Sequence, residues 1–551
     1  MKLRYKILFV AIALVGLNSC KDFLEEVPDT RVYLENLDQL EQLLVTGYTQ
    51  HSYAPLCEIS SDNVDDLNSP DESGNRYNYS SYHRYSEQVF AWEDVTLDIS
   101  DSDSPSGQWE ACYSAIAVAN AVLEKVDEFE AAGEIEGQPM TPRDRSRLSA
   151  IKGEAHMIRA YHHYLLAQIF CMPYRGPELS KQLLGIPYAT EPETRLFPHY
   201  ERGTLEETYQ KIEADLLIGL ENVADEYYKV PKYHFNVAAA NAFAARFYLA
   251  KREYDKVVKY ATASFKGNDP ATMRNDFWDK GEEFYDWDEG ARYYTSVERP
   301  GNFLMFDTYS TWLRYYGYRF WMARDGAKAT VYGSGPTWNT ILPCFMNSLG
   351  GRDEYGYVFY ANCWEQFEYT DKIAGIGYVH MIRPEFTSQE TILFRAEANL
   401  FLGNIDAAME DLILWNHDHL MQGDMASQNR GMTELDADKV IRFYSSSNPG
   451  YGIVKTFHID EVCPSDKYKL TAAIEPYLQC VQHFRRIQTV HLGQRWFDIK
   501  RYGLSIVHKM GISDVYTLKV LDPRYAIQIP AEVIGAGLEP NPRDPAPAVS
   551  E

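Results

Sequence analysis

Apolar residues recur every three or four positions over long parts of this chain, starting near residue 105, and that period predicts amphipathic helices. The clearest case is "IKGEAHMIRAYHHYLLAQIF" at 151–170, where one face is largely apolar. The stretch 204–223 starts on Thr204 with Glu207 three residues later, the pair that forms a capping box at the start of a helix. We therefore predict a helix over each of these stretches.

Two further stretches predict helical hairpins, in which two helices are joined by a tight turn. Residues 236–265 give an alanine-rich helix, a short charged turn and a second helix. Residues 388–415 break at Gly403-Asn404, a glycine that suits the end of one helix and an asparagine that suits the start of the next. Both hairpins have the layout of a tetratricopeptide repeat, but their irregular spacing argues against a single regular solenoid.

Two long stretches lack a period and are rich in Gly, Asn, Asp and aromatic residues: 58–104 and 266–380. Such segments predict loop-rich insertions, and loops held on a rigid scaffold commonly carry binding sites. The predicted fold class is therefore mainly α, with tetratricopeptide-like helical hairpins forming a scaffold and a loop-rich, aromatic-rich ligand-binding lobe. The other predicted segments are a leader at 1–19, an N-terminal tether and first helix at 20–57, a helical scaffold at 105–265, and C-terminal helical pairs with a closing segment at 381–551.

The N-terminus has the pattern of a signal peptide, because a basic start precedes an apolar run at 7–17. That run is too short for a membrane-spanning helix, which needs about 20 apolar residues. The sequence Leu17-Asn18-Ser19-Cys20 resembles a bacterial lipobox, which makes Cys20 the predicted lipidation site; an ordinary secretory signal is the alternative. Several acyl chains on one residue hold a protein durably on a bilayer, so we expect an exported and tethered protein.

Charge and cysteine content exclude several functions. The formal net charge is −26, and nucleic-acid binding depends on Lys and Arg neutralising phosphates, so we expect no nucleic-acid partner. Of the 8 cysteines, the seven beyond Cys20 are odd in number and contain no C-x-x-C pair. They predict neither a zinc site nor a compact disulfide framework, while one or two disulfides remain open. We expect no cofactor.

Several motifs, in one order along the chain, resemble the SusD/RagB family of outer-membrane nutrient-binding lipoproteins of Bacteroidetes. They are the lipobox followed by "CKDFLEEVPDTR", then "QWEACYSAIAVANAVLEKV" (108–126), "KGEAHMIRAYHHYLLAQIFCMPY" (152–174), "LGQRWFDIKRYG" (492–503) and "YAIQIPAEVIGAGLEPNPR" (525–543). The resemblance implies an α-rich subunit whose loop-rich lobe carries the ligand site. It also implies a partner, a TonB-dependent, SusC-like outer-membrane transporter, and an oligosaccharide ligand, or a peptide in some members.

Clustered charged residues on the predicted helices are interpreted as structural. Glu154 with Arg159, and Arg495 with Asp498 and Arg501, stand at helical spacing and suit ion pairs better than an acid–base pair. The pair His162-His163 and the cluster "WNHDH" (415–419) lack the spacing of metal ligands, so we predict no metal. The acidic stretches "SDNVDD" (61–66) and "DSDSPSG" (101–107) are predicted as solvated loops rather than calcium sites.

The aromatic residues, 14% of the chain, give the sharper functional signal. Sugar rings pack their C–H faces on aromatic rings, while their hydroxyl groups need polar partners at the edge. The stretches "FYDWDEGARYY" (284–294) and "TWLRYYGYRFW" (311–321) mix both types, and in the family the segment after "SDN" commonly contributes to the ligand face. The predicted ligand-binding residues are Trp92, Tyr82, Arg84, Trp287, Tyr294, Trp312 and Tyr316; the alternative is that such aromatic residues fill the lobe or contact the transporter.

The function we predict from the sequence is a cell-surface, lipid-anchored receptor of the outer membrane that captures an oligosaccharide and delivers it to its transporter without chemistry. A peptide-binding RagB-like receptor of the same architecture is the first alternative. A surface glycoside hydrolase, which needs two carboxyl groups facing each other across a cleft, is the second. A tetratricopeptide adaptor for other proteins, with an uncovered helical groove, is the third.

Overall fold

The computed structural model describes residues 34–71, 74, 76–193, 200–273, 287–315, 318–339, 349–352, 357–360, 363–419, 434–446 and 449–543. The predicted leader at 1–19 and Cys20 lie outside the described residues. No helix among the residues described is both long and apolar enough to cross a membrane.

The fold is mainly α, as the sequence predicts. In chain order the helices are α1 (Leu37–Val45), α2 (Ala54–Ile59), α3 (Arg84–Phe90), α4 (Pro105–Ala132), α5 (Pro142–Phe170), α6 (Pro177–Ser180), α7 (Leu205–Asn222), α8 (Val237–Lys251), α9 (Tyr254–Ser264), α10 (Trp287–Tyr294), α11 (Arg324–Lys328), α12 (Ser388–Phe401), α13 (Ile405–His419), α14 (Ala437–Tyr444), α15 (Ile459–Val462), α16 (Glu475–Gln488), α17 (Gln494–Tyr502) and α18 (Ala531–Gly535).

The strands are short and lie mostly in the predicted lobe. They are β1 (Asp65–Asp66), β2 (Glu134–Ile135), β3 (Gln138–Pro139), β4 (Asn302–Thr308), β5 (Phe320–Trp321), β6 (Leu349–Arg352), β7 (Tyr357–Tyr360), β8 (Gln366–Asp371), β9 (Ile376–Thr387), β10 (Ile506–Met510) and β11 (Asp514–Leu518). The pairings are β1–β5, β2–β3, β6–β7 and β10–β11, and β4-β9-β8 form a three-stranded antiparallel sheet. The composition of 266–380 predicts loops, and these strands are a correction to that prediction. Residues 380–387 of β9 are all buried, so no alternation of exposed and buried positions marks this strand in the sequence.

The helix ends form where local chemistry predicts them. Thr204 and Glu207 make the reciprocal hydrogen bonds of the predicted capping box at the start of α7. Thr141 and Asp144 form a second box at the start of α5. Gly403 lies at φ 83°, the left-handed conformation that favours glycine, and joins α12 to α13 in the predicted hairpin.

The scaffold buries its small-residue helices most deeply. Helix α5 packs against α4 and α7, and the predicted hairpin α8–α9 packs against α12, which in turn contacts α16. Alanine side chains let these backbones approach closely, and those at positions 239, 240, 242, 244 and 245 of α8 have no exposed surface. The helical hairpins therefore share one continuous apolar core rather than stacking as separate repeats.

The charged residues on these helices are structural, but one predicted pairing is wrong. Arg159 binds Asp215 on α7, with its Nε 2.8 Å from Oδ2, and does not pair with Glu154 on its own helix. Glu154 instead accepts a hydrogen bond from the Tyr48 hydroxyl at 2.6 Å. Arg501 does pair with Asp498, as its spacing predicts, at 3.2 Å.

The stretch 61–66 is not the solvated loop that its composition predicts. Asp62 accepts two hydrogen bonds from Arg495, at 2.7 and 3.0 Å, and its Oδ2 lies 2.6 Å from the Lys455 ammonium. Although burial opposes ionisation, Arg486, Arg495 and Lys455 together hold the pKa of Asp62 well below its usual range. This carboxylate ties the N-terminal part of the chain to α16 and α17.

Cysteine chemistry is simple in the part of the chain that the structure describes. All six cysteines there are free and buried: Cys57, Cys112, Cys171, Cys363, Cys463 and Cys480. Their pKa values are raised because burial disfavours the thiolate. They therefore act as small apolar core residues.

Candidate functional site

The pairing of β1 with β5 brings together the two segments that the sequence marks as ligand-binding. Asp65 faces Trp321 and Asp66 faces Phe320 across this short antiparallel pair. Beyond the strands, the Leu67 amide donates to the Arg319 carbonyl at 2.8 Å, and the Arg319 amide donates to the Ser81 carbonyl at 2.9 Å. The first insertion and the stretch 318–321 thus form one surface.

That surface carries partly exposed aromatic rings, which we call the aromatic face. Its residues are Tyr77, Tyr79, Tyr82, His83, Tyr318 and Tyr357. Tyr77 and Tyr79 stack with ring centroids 6.3 Å apart, and Tyr79 also contacts Tyr357 at 6.4 Å. His83 stacks on Tyr318 at 5.8 Å with the ring planes 24° apart. None of the six rings is fully buried, so each retains surface that a ligand can contact.

Asn68 fixes the backbone that presents the first of these rings. Its side-chain amide donates to the Tyr79 carbonyl at 2.8 Å, and its Oδ1 accepts from the Tyr79 amide at 2.6 Å. Arg76 Nε donates to the Asn68 carbonyl at 2.9 Å. Asn78 between the two tyrosines lies at φ 57°, a left-handed conformation that asparagine tolerates better than most residues. The two rings on either side of Asn78 are therefore held by local hydrogen bonds.

A buried carboxylate, that of Asp66, anchors the part of the aromatic face around Arg319 and Tyr82. Asp66, whose side chain has no exposed surface, accepts Arg319 Nε at 2.8 Å and the same guanidinium's terminal nitrogen at 3.0 Å. Arg319 also reaches Glu87 at 3.2 Å and lies 5.5 Å from the ring centroid of Tyr82. The Asp66–Arg319 pair therefore holds a guanidinium against the Tyr82 ring and fixes the position of that ring.

Polar groups surround the rings. Arg76 and Arg84 are exposed, and the Arg84 side chain makes no hydrogen bond or ion pair to any residue that the structure describes. Its backbone amide is fixed by Asp98 at 2.8 Å. Guanidinium and carboxylate groups beside open aromatic faces are the combination that sugar hydroxyls and sugar C–H faces require.

The seven residues predicted as ligand-binding fall in different places. Tyr82 and Arg84 lie on or beside the aromatic face. Trp287 is the first residue of α10. Tyr316 lies outside the described residues.

The other three have buried rings and act in the core. Trp312 is 0% exposed, with its indole N–H donating to the His491 carbonyl at 3.0 Å. Trp92 is 6% exposed, donates to the Ser60 carbonyl at 3.0 Å and stacks on His508. Tyr294 is also buried. Because these three rings are buried, they form no stacking platform for a ligand in this structure, contrary to the prediction. Their burial agrees with the alternative that such aromatic residues fill the core of the lobe.

Four tyrosines of the aromatic face are not among the predicted ligand-binding residues: Tyr77, Tyr79, Tyr318 and Tyr357. Tyr77 and Tyr79 alternate with exposed polar residues, a period of two that marks a half-buried extended segment. That signal is visible in the sequence. Tyr318 and Tyr357 have no such signal, because they reach the face only through strand pairings between distant segments.

Several described carboxyl groups have raised pKa values, and the two whose pKa reaches about 7 lie inside the fold. Burial raises the pKa of Glu58 and of Asp103 to about 7 each. Glu58 accepts the His491 amide at 2.9 Å and the Gly493 amide at 3.1 Å, and Asp103 accepts the Ser310 hydroxyl at 2.7 Å. Both side chains are buried and hold neighbouring backbone or hydroxyl groups.

The histidines are equally structural. His162 and His163 are fully buried, each with Nδ1 facing a carbonyl of its own helix, at 2.8 and 2.9 Å. Burial lowers the pKa of His162 to about 4 and that of His163 to about 3. Among the described residues no group of three or more His, Cys, Asp or Glu could hold a metal ion.

Comparison with known proteins agrees with this architecture. Residues 22–249 match the family model SusD-like_3, described as starch-binding and associating with the outer membrane. A putative sugar binding protein from Bacteroides vulgatus has a TM-score of 0.62 at 18% identity, covering 93% of this chain and 99% of its own. A SusD superfamily protein from Bacteroides thetaiotaomicron has a TM-score of 0.60 at 17% identity, covering 92% and 100%.

A further solved structure, described as a laminarin binding SusD-like protein, has a TM-score of 0.50 at 14% identity and covers 92% of this chain and 99% of its own. No curated protein sequence matches the chain. At these identities the solved structures show the shared fold, whereas the family model matches the sequence itself. Residues 22–249 are thus similar to the SusD-like_3 family, and the chain shares its fold over about nine-tenths of its length with proteins of the SusD superfamily.

Proposed function

We propose that the aromatic face binds an oligosaccharide and that the protein is a non-enzymatic glycan receptor of the outer membrane. The observation that carries this proposal is the row of partly open rings with exposed arginines beside it. Each ring supplies an apolar face to a sugar, and a guanidinium donates several hydrogen bonds to hydroxyl groups. The laminarin binding relative supports a glycan as the ligand class.

The binding residues we propose are chosen from both segments of the face. Tyr79 and Tyr318 supply stacking rings, Tyr82 supplies a ring held by Arg319, and Arg84 supplies an exposed guanidinium. Trp287 and Tyr316 stay proposals from the sequence.

The anchor and the partner belong to the same proposal. Cys20, in its lipobox-like context, is the residue we propose for acylation, and the family model's association with the outer membrane supports this location. The proposed receiver of the glycan is a TonB-dependent, SusC-like transporter. Growth on radioactive palmitate should label the chain, and Cys20→Ala should abolish the label and the membrane attachment. Labelling that persists in Cys20→Ala would contradict the assignment.

The ligand test is isothermal titration of residues 21–551 against plant, host and microbial oligosaccharides, with product analysis for cleavage. One glycan class should bind saturably and remain intact. Tyr79→Ala should weaken its binding by roughly three- to tenfold, since an aromatic contact contributes about 0.5–1.5 kcal/mol.

Tyr369→Ala is the matched control, because Tyr369 is 49% exposed but belongs to β8 and not to the aromatic face. Its glycan affinity should equal that of the unmodified chain. Equal losses in both variants would argue against a site on the aromatic face. Binding of peptides in place of glycans would favour the RagB-like alternative, and cleavage of the glycan would overturn the non-enzymatic assignment.

A further inference from the structure

A small cavity lies inside the fold, where strand β9 of the lobe meets the helical scaffold. We call it the β9 cavity; its volume is about 10 Å³, and its lining residues include Tyr53, Arg383, Glu385, Glu390 and Gln494. It shares no residue with the aromatic face, and it is separate from a larger cavity of about 250 Å³ beside Trp109 on α4. A cavity as small as the β9 cavity holds about one water molecule, so its size limits any occupant to a single small molecule or ion.

Buried charges of both signs surround the β9 cavity. Glu385 accepts a hydrogen bond from Arg246 on α8, and both of its oxygens lie 3.1 Å from the Tyr53 hydroxyl, which donates to them. Arg246 also donates to Glu390 Oε2 on α12 at 2.7 Å. Arg383 Nη2 lies 3.0 Å from Glu385 Oε2, close enough for an ion pair but outside hydrogen-bond geometry. The two guanidinium groups therefore balance the two carboxylates.

Two of the lining side chains keep polar atoms that no protein group satisfies. Nε and Nη1 of Arg383 have no hydrogen-bond partner, and neither has Oε1 of Glu390. Arg383 is 1% exposed and Glu390 is 4% exposed, so bulk solvent does not hydrate these atoms. A buried charged group without its hydrogen bonds is costly, because the low dielectric inside the fold strengthens every unmet interaction.

The donor is held in place before any ligand arrives. The guanidinium carbon of Arg383 lies 4.2 Å from the centroid of the Tyr53 ring and 5.5 Å from that of Phe306. The Tyr53 hydroxyl in turn accepts a hydrogen bond from the Gln494 amide on α17. A preformed site loses little conformational entropy when it binds its ligand.

The pairing of a donor with an acceptor selects the occupant. A halide ion would accept from Arg383 but would be repelled by the Glu390 carboxylate, and a metal cation would meet the opposite conflict. A water molecule accepts from the guanidinium and donates to the carboxylate at once, and it leaves the balanced charges unchanged. Size and chemistry therefore favour the same ligand.

We infer that the β9 cavity binds a single water molecule, which accepts a hydrogen bond from Arg383 and donates one to Glu390 Oε1. The water completes the buried network that joins β9 to α8 and α12. A network in which every member is satisfied makes the structure around it more rigid. The site is independent of the proposed glycan site and goes beyond it.

A high-resolution crystal structure of residues 21–551, grown with bromide in place of chloride, tests the occupant directly. We expect one electron-density peak within about 3.2 Å of both Glu390 Oε1 and a guanidinium nitrogen of Arg383, without the anomalous signal of bromine. The lack of a peak there would overturn the inference, and so would an anomalous peak, which would mark a halide site.

A second measurement detects the water in solution. Oxygen-17 relaxation dispersion reports buried waters that exchange slowly with the solvent. Thr489→Ile adds bulk to a residue that lines the β9 cavity, so it should displace the water and lower the dispersion amplitude by the contribution of one molecule.

Thr391→Ile is the matched control for this change. Both threonines are buried and both hydroxyl groups donate to the carbonyl four residues earlier, at 2.8 Å for Thr489 and 2.7 Å for Thr391, but Thr391 does not line the cavity. The control should keep the unmodified amplitude, and equal amplitudes in the two variants would contradict the inference. The crystal structure of the unmodified chain tests the proposal even where Thr489→Ile fails to fold.

Discussion

Replacing Asp66 by asparagine should loosen the aromatic face while the helical scaffold stays folded. Asp66 accepts two hydrogen bonds from Arg319, at 2.8 and 3.0 Å, and also accepts the Gly511 amide at 2.7 Å. Its side chain has no exposed surface, whereas the side chain of Arg319 is 14% exposed. The asparagine would keep one acceptor oxygen, but it would lose the charge and present its own N–H groups to these donors.

The expected cost follows from this geometry. Breaking a buried ion pair by removing one partner costs about 3–5 kcal/mol. Because Arg319 is partly exposed and keeps Glu87 at 3.2 Å, we expect a local cost of about 2–4 kcal/mol. At 1.4 kcal/mol per factor of ten, local opening becomes roughly 30- to 700-fold more frequent.

Hydrogen exchange followed by mass spectrometry measures this opening directly. The reporting amides are those of Leu67 and Arg319, which bond across the two segments, and that of Tyr79, which bonds to Asn68. They should exchange faster by the factor above, while the amides of α8 and α12 keep their protection. Glycan affinity should fall as well.

Asp94→Asn is the matched control. Asp94 binds Arg543 at 2.8 Å on the surface, with side-chain exposures of 49% and 29%. Exposed pairs contribute about 0–1 kcal/mol, so exchange at the face should not change. Unchanged exchange at Leu67 and Arg319 in Asp66→Asn would refute the role of the buried pair.

Three further outcomes test the core. Burial raises the pKa of Asp103 to about 7, so the folded chain binds this proton more tightly than the unfolded chain does. The free energy of unfolding should therefore fall by up to about 4 kcal/mol as pH rises from about 4 to about 7. Asp103→Asn should flatten that part of the Tm-against-pH curve, and an identical slope would contradict the assignment. Trp312→Ala should cost about 3–5 kcal/mol and lower the Tm, with the folded fraction keeping its glycan affinity, whereas an unchanged Tm would argue against a core role. Burial raises the pKa of Cys112 to about 12, so iodoacetamide should label Cys112 only after unfolding, as peptide mass spectrometry would show, and labelling in the native protein would disagree.

Local chemistry in the sequence is enough to place much of the scaffold. The capping box at Thr204 and Glu207 forms as predicted, because both partners lie within one helical turn. Gly403 follows the end of α12 as predicted, because glycine has no side chain to clash in the left-handed conformation, whatever its neighbours are. The partner of Arg159 is Asp215 on another helix, which the spacing along one helix could not reveal.

The predicted ligand-binding residues also divide into those that local sequence places correctly and those whose position depends on distant segments. Tyr82 and Arg84 reach the surface, but the tryptophans at 92 and 312 are buried, since the composition of a stretch does not say which ring turns inward. The indole N–H groups of both tryptophans find carbonyl acceptors from other segments, which lets them enter the core. Aromatic content alone therefore marks the lobe but not its exposed rings.

The sequence by itself determined the main scaffold helices, the capping box at Thr204, the turn at Gly403, the mainly α class and the family resemblance, because helical period and capping act between residues a few positions apart. Only the tertiary structure decided the aromatic face, since Tyr318 and Tyr357 meet Tyr79 and His83 through contacts between distant segments. The same holds for the cavity beside Trp109, whose described walls come from α4, from residues 187–200 and from residues 533–538. Short-range geometry is encoded locally, whereas a binding surface depends on which distant segments pack together and which of their faces remain open.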